Sequence, residues 1–318
     1  MIVDRILKAS GWLAFLVLAT PMVLTAVLPG GEPVLWTAID VSGNSSSGDA
    51  HLIEYPNGEN FLIDTGFDRF FDDSLWPALA SRRINRLDGV LITHAHRNHY
   101  GALLRLADRV TIGAVYFNPV APDICDRESW SSGCRSGHVE HVRSALADRG
   151  IPVHTVGAGD ELFVDLRRGI RHEVLAAFDG VDTPVGRTDV NDTSVISRLS
   201  YGEQSILFSG DVNNRIGRYL AKHAPLPSST VMTAPHHGVE SAAPNSFLDM
   251  VGPSAAIATI NQSDWLGKRG DRMRSYFSDH GIPVYVSGVH GTFSIELRPS
   301  RFEVIIPTAA VDSAGNGG

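Results

Sequence analysis

Gly89-Val90-Leu91-Ile92-Thr93-His94-Ala95-His96-Arg97-Asn98-His99-Tyr100-Gly101 decides how this chain is read. The apolar run predicts a buried strand, and three imidazoles crowd into the six residues His94 to His99 that follow it. In extended backbone, residues i and i+2 point the same way, so His94 and His96 can grip one ion where the strand ends. A turn brings His99 toward the same cavity. Solvated loop histidines would be the plain alternative, but the further pair His236-His237 favours a metal site.

Outward from this cluster the chain alternates strands and helices. Leu35 to Val41, Ala50 to Tyr55 and Asn60 to Asp64 read as antiparallel strands, with Pro56-Asn57-Gly58 as a hairpin turn. Helices are expected from Asp73 to Arg83, from Tyr100 or Gly101, and from Gly137 to Arg149, with strands at Gly113 to Asn118 and Val153 to Val156. His138 and His141, at i and i+3, read as exposed-face residues because no third ligand completes a motif there. In the second half, Ser194 to Leu199 and Gln204 to Ser209 form a hairpin around Tyr201-Gly202. Strands Val231 to Ala234, Ala255 to Ile260, Val284 to Ser287, Thr292 to Leu297 and Phe302 to Ile306 follow. The pattern implies an α/β fold of two packed sheets with helices outside, a four-layer αββα sandwich built as one domain over 34–307.

The 318 residues are 43% hydrophobic and 19% charged, an ordinary globular composition. With 27 Lys plus Arg against 35 Asp plus Glu, the formal charge of -8 excludes a global positive field for nucleic acid. Any polyanion needs a local patch, for which Arg82, Arg83 and Arg86, or Lys268, Arg269, Arg272 and Arg274, are candidates.

Arg5 and Lys8 precede the nearly uncharged run Gly11 to Leu28. Residues 1–33 therefore read as an export segment, either a cleaved signal or a retained membrane anchor, with the anchor slightly favoured; Pro21 interrupts the run and no clean cleavage site follows. The product would be membrane-anchored facing outside the cytoplasm, or secreted or periplasmic. Cys125 and Cys134 are the only cysteines, and in an exported chain this close pair reads as a disulfide rather than as free or zinc-binding thiols. The small, Gly-rich residues 308–318 read as a disordered tail.

Chemistry-bearing residues recur at strand ends: Asp64 in Leu62-Ile63-Asp64-Thr65-Gly66, the histidine cluster, Asp211 in Phe208-Ser209-Gly210-Asp211, and His236-His237-Gly238. This order resembles the metallo-β-lactamase fold superfamily, whose HxHxDH motif stands here as His94 to His99. More narrowly it resembles the hydrolase domain of ComEC-type DNA-uptake proteins, which carry LIDTG, L(T/S)GD and (V/A)PHHG motifs in the same order; the likeness runs from about Leu35 to Ile306. Asn191-Asp192-Thr193-Ser194-Val195 stands where true lactamases carry another His ligand, which argues against β-lactam hydrolysis.

The resemblance implies that His94, His96, His99, Asp211 and one of His236 and His237 hold one or two ions of zinc, manganese or iron. His236 is the favoured ligand of that pair, with His237 reserved for substrate and catalysis. Asp211 would bridge the ions. Asp64 would orient a ligand histidine, unless it is only a turn cap. Arg97, Lys268 and Arg269 would meet a phosphodiester or DNA. Asn98 departs from the family, which has Asp there to bind the second metal and orient the attacking water; a neutral amide should weaken that site. The Gly/Ser-rich segment Ser42 to Asp49 and the stretch Trp265 to Arg269 depart as well. Two functions are expected to compete: an exported metal-dependent phosphodiesterase or nuclease, and a catalytically weak metal-binding or DNA-handling envelope protein. Neither the sequence nor the resemblance identifies a protein partner.

Overall fold

A computed structural model of the chain describes residues 31–43, 46–128, 133–178, 183–186 and 189–307. The export segment up to residue 30 and the expected tail from 308 lie outside the described residues. Among the described residues, no helix is long and apolar enough to cross a membrane.

Two sheets face each other. The first has eight strands in the order Arg301–Ile305, Phe293–Arg298, Val34–Ala38, His51–Glu54, Asn60–Ile63, Gly89–Ile92, Val115–Phe117 and Val153–His154. The second has seven, in the order Val284–Val286, Ala255–Ala258, Val231–Thr233, Gln204–Phe208, Ile196–Tyr201, Ile170–Ala176 and Glu161–Asp165. Strand alternation sorts the side chains into three cores. Phe61, Ile63 and Leu91 point between the sheets with Trp36, Phe208 and Ile295, whereas Leu62, Val90 and Ile92 point outward under helices that include Ser136–Asp148. The outer face of the second sheet packs against helices such as Asn214–His223 and Asp271–Asp279. This is the four-layer αββα sandwich.

Several boundaries differ from expectation. The helix expected from Asp73 is a π-type turn, Phe71–Leu75, running into the helix Trp76–Ser81. The helix expected at Tyr100 or Gly101 begins earlier, at Arg97, so Arg97, Asn98 and His99 form its first turn. The hairpin Glu161–Asp165 with Ile170–Ala176 was not expected; Arg171 and Glu173 on its exposed face interrupt the apolar signal. The expected turn at Pro56-Asn57-Gly58 forms, with Gly58 at a φ of 89°.

The sheet topology positions the site. Asn60–Ile63, Gly89–Ile92 and Val115–Phe117 run parallel, as do Gln204–Phe208, Val231–Thr233 and Ala255–Ala258. The carboxyl ends of parallel strands leave a crevice where connections diverge. The two sheets are stitched there by the Val195 amide, which donates to the Thr93 carbonyl at 2.8 Å.

Candidate metal centre

Four motif segments singled out in the sequence leave a strand at this crevice. Gly89–Ile92 ends in Thr93 and His94, Asn60–Ile63 in Asp64, Gln204–Phe208 in Asp211, and Val231–Thr233 in the Pro235–Gly238 turn. The backbone is bent hard to deliver them. Asp64, His236 and His237 have φ of 59°, 49° and 58°. Non-glycine residues held in this left-handed region cost of order 1–3 kcal/mol each and gather at functional sites.

Two groups of candidate ligands form, sharing Asp211: His94, His96 and Asp211, and Asp49, His99, Asp211 and His237. In the first, His94 Nε2 lies 3.0 Å from His96 Nδ1 and 3.6 Å from Asp211 Oδ2. In the second, His99 Nε2 and His237 Nε2 lie 3.3 and 3.5 Å from the same Oδ2. The spacing expectation for His94, His96 and His99 thus meets a converged geometry.

The donors fit a metal on an observation independent of motif. His99 Nε2 and Asp211 Oδ1 are buried and have no hydrogen-bond partner. Orphaned buried polar atoms cost about 1–3 kcal/mol, and a cation between them would satisfy both. Imidazole plus carboxylate suits zinc, manganese or iron.

The opposite ring nitrogens are all occupied. His94 Nδ1 meets Thr93 Oγ1 at 3.1 Å, and His99 Nδ1 meets Asp64 Oδ2 at 2.8 Å. His96 Nε2 meets Glu128 Oε2 at 2.7 Å, and His237 Nδ1 meets Asp49 Oδ1 at 3.1 Å. Such partners fix tautomer and ring direction. Asp64 therefore stands in the orienting position; its carboxylate also accepts from the Thr93 amide at 2.8 Å.

Electrostatics follow this crowding. Burial favours the acid form of Asp211, but His237, His99, His236 and His94 hold its carboxyl well below the usual range. Burial works against a charged His99, yet Asp211 and Asp64 raise it well above its ordinary value; His237 is likewise raised by Asp211 and Asp49. Burial, with His99 beside it, pushes His94 well down. Asp49, Asp64 and Asp211 bring three carboxylates against the two imidazoles raised toward the charged form, His99 and His237, so fixed anion is in excess, which is the setting for a cation.

His236, the residue preferred from sequence, stands apart from the candidate group. Its Nδ1 meets Asn213 Oδ1 at 3.0 Å and its Nε2 is 3.7 Å from Asp211 Oδ2, while burial lowers its pKa to about 4. His237 is the one in the group. Asn98 turns Nδ2 to within 3.0 Å of His237 Nε2. Asp49, which sequence reasoning had left inside a glycine-rich loop, brings a carboxylate to the same group. That loop lies tight on the histidine turn: a Cβ at Gly48 would come within 2.8 Å of the Asn98 carbonyl.

A cavity of about 840 Å³ opens above the candidate ligands, lined at its mouth by Arg69, Arg97 and Arg269. Lys268 is not part of this lining, and the expected basic run is spent locally: Arg272 donates to the Ala242 and Ala243 carbonyls, and Arg274 pairs with Asp271. Arg269 itself pairs with Asp264 at 2.9 Å. Arg82 and Arg86 of the other candidate patch pair with Glu54 and Asp88. Arg69, stacked 3.9 Å from the centre of the Phe67 ring, had no signal in sequence. Cys125 and Cys134 form the expected disulfide, and His138 lies on an exposed helix face against the Tyr100 hydroxyl at 2.8 Å.

Comparison with known proteins gives the same picture. The profile of the Metallo-beta-lactamase superfamily matches residues 44–258. ComE operon protein 3 of Bacillus subtilis is 21% identical over 83% of this chain, and Competence protein ComA of Neisseria gonorrhoeae 21% identical over 75%. The chain spans only 35% and 29% of the length of these relatives. Among solved structures, the CmlA beta-hydroxylase E377D mutant superposes with a TM-score of 0.51 at 15% identity, covering 85% of this chain and 55% of that one.

Proposed function

Since the chain belongs to the metallo-β-lactamase superfamily, we propose that it is a metal-dependent hydrolase of phosphodiesters, with DNA or another nucleic acid as the substrate class. One observation carries the reading: two groups of buried candidate ligands share Asp211 beneath a cavity whose mouth bears Arg69, Arg97 and Arg269. A divalent cation held there supplies Lewis acidity, activating water and polarising a phosphoryl oxygen. The chain's own groups do the rest. Asp211 offers both groups one carboxylate. Arg69 and Arg97 at the mouth offset phosphate charge and hold the diester over the histidines, while Arg269 is held by Asp264. Asn98 lines the same cavity and orients what enters it, while His237 belongs to the second ligand group. The competence proteins it resembles support nucleic acid as the substrate class. Export, with a signal or an anchor in residues 1–33, is proposed on the apolar run behind Arg5 and Lys8, and the disulfide suits an oxidising compartment.

The test is hydrolysis of bis(p-nitrophenyl) phosphate and of single-stranded DNA by chain reloaded with zinc or manganese. Turnover abolished by Asp211→Ala supports the reading; metal uptake without turnover of either substrate sinks its catalytic half. Asn98 favours a second reading, a metal-binding envelope protein of weak or no activity. Asn98→Asp separates the two, because a decayed centre gains hydrolysis from the restored carboxylate and a working one does not.

A further inference from the structure

Among the described residues of the segment between Cys125 and Cys134, Glu128 reaches into the metal centre. Glu128 is 6% exposed although it sits on a connection. Its Oε2 accepts from His96 Nε2 at 2.7 Å and from the Cys134 amide at 2.7 Å, and its Oε1 accepts from the Val190 amide at 3.4 Å. Burial would raise this carboxyl, but the hydrogen bond and charge of His96 and the two amides bring it below its ordinary value. The loop is braced around it. The Glu128 amide donates to the Cys125 carbonyl, Arg135 Nη1 donates to the Glu128 carbonyl at 2.7 Å, and the Ser136 amide donates to Asp126 Oδ1 at 2.8 Å.

This arrangement bears on one choice that His96 must make. His96 follows a strand end and caps the short helix Arg97–Tyr100 without a side-chain cap hydrogen bond, so the cap itself does not choose between its ring nitrogens. Its Nδ1 faces His94 Nε2 at 3.0 Å, on the side of Asp211. A proton on Nε2, donated to a carboxylate, leaves the Nδ1 lone pair for a cation. A proton on Nδ1 would block it.

We propose that Glu128 is a positioning residue that holds His96 in the metal-binding tautomer, and that the Cys125–Cys134 disulfide holds Glu128 in place. The inference rests on the metal reading above. It makes Glu128 and the disulfide beside it supports of the first ligand group rather than a surface staple.

Zinc alone is titrated into the metal-free full chain and into Glu128→Ala, Glu128→Gln and the pair Cys125→Ala with Cys134→Ala, with His237→Ala marking the second step. Glu128→Ala should weaken the first step about 10–100-fold and leave the second within about threefold. The cysteine pair should weaken the same step by a smaller factor. Adding Glu128→Ala to it should cost less than Glu128→Ala costs alone, because the two act through one device. Nitrogen-15 spectra of the metal-free chain should show His96 protonated on Nε2, with the Nδ1-protonated form appearing in Glu128→Ala and less in Glu128→Gln, whose amide oxygen still accepts. An unchanged first step in a folded Glu128→Ala chain overturns the proposal, as does equal weakening of both steps with no change of His96 tautomer. Wild-type chain that takes up no zinc overturns the metal reading itself, and this inference with it.

Discussion

Asp64→Asn probes the centre with little change of shape. Asp64 is fully buried at a φ of 59°, a conformation that asparagine, like aspartate, tolerates better than most non-glycine residues, so the backbone should keep its course. What changes is hydrogen-bond arithmetic. Asp64 accepts from the Thr93 amide through Oδ1 at 2.8 Å and from His99 Nδ1 through Oδ2 at 2.8 Å, with the Thr93 hydroxyl also on Oδ2 at 2.7 Å. The hydroxyl can rotate to suit an amide, but the backbone N–H cannot. An asparagine has one carbonyl oxygen for two fixed donors. If that oxygen faces Thr93, the amide nitrogen faces His99 and drives its proton to Nε2, the nitrogen aimed at Asp211. If it faces His99, the Thr93 amide is buried without an acceptor. Losing one bond to a charged group and orphaning a donor costs about 2–4 kcal/mol in metal-free stability. Metal affinity at the group containing His99 should fall about 10–100-fold, or about 1.4–2.7 kcal/mol. Urea denaturation of the metal-free chain and zinc titration measure the two separately. A stability loss with unchanged metal affinity would refute the claim that Asp64 orients a ligand and leave it as a turn cap.

Three further outcomes are expected. Asn98→Asp adds a carboxylate beside His237 Nε2 and should tighten the second ion about tenfold or more, read by titration; an unchanged Kd would mean that Asp49 already saturates the charge there. Gly48→Ala sets a Cβ against the Asn98 carbonyl and should lower stability by about 1–3 kcal/mol and weaken the group containing Asp49; a variant as stable as wild type would show that the loop moves freely. His172 lies between the sheets, bonded to the Tyr55 hydroxyl at 2.9 Å and the Ser197 hydroxyl at 3.1 Å, and burial lowers its pKa to about 3. Because the folded value is below the unfolded one, its contribution is intact above about pH 6.5 and is lost as pH falls toward 3, by up to about 4–5 kcal/mol. His172→Gln should be less sensitive to acid than wild type over that window, measured as the urea midpoint against pH; parallel curves would contradict the assignment.

Strand ends and the candidate ligands on them were legible because the signal is local. Val90, Leu91 and Ile92 feed two different cores, so the run reads as a continuous buried strand, and His94, His96 and His99 follow at fixed spacing. Asp211 and the His236-His237 pair were legible for the same reason. The choice within that pair was not, since it turns on two consecutive left-handed residues that spacing does not encode. Asp49, Glu128 and Arg69 escaped because each reaches the site across a long stretch of sequence: Asp49 is 188 residues from His237 and Glu128 is 32 from His96. Such tertiary partners carry no periodicity. The basic run Lys268 to Arg274 shows no such partners in sequence, yet backbone carbonyls at Ala242 and Ala243 and the nearby carboxylates Asp264 and Asp271 take up Arg272, Arg269 and Arg274.

Metal content per chain tests the central claim most directly. Plasma mass spectrometry on the chain purified without chelators or affinity-tag histidines should find two equivalents, one for each ligand group, and the loss of both in Asp211→Ala, since that carboxylate belongs to each group. A wild-type chain without metal, or an Asp211→Ala chain that retains two equivalents, would contradict the account.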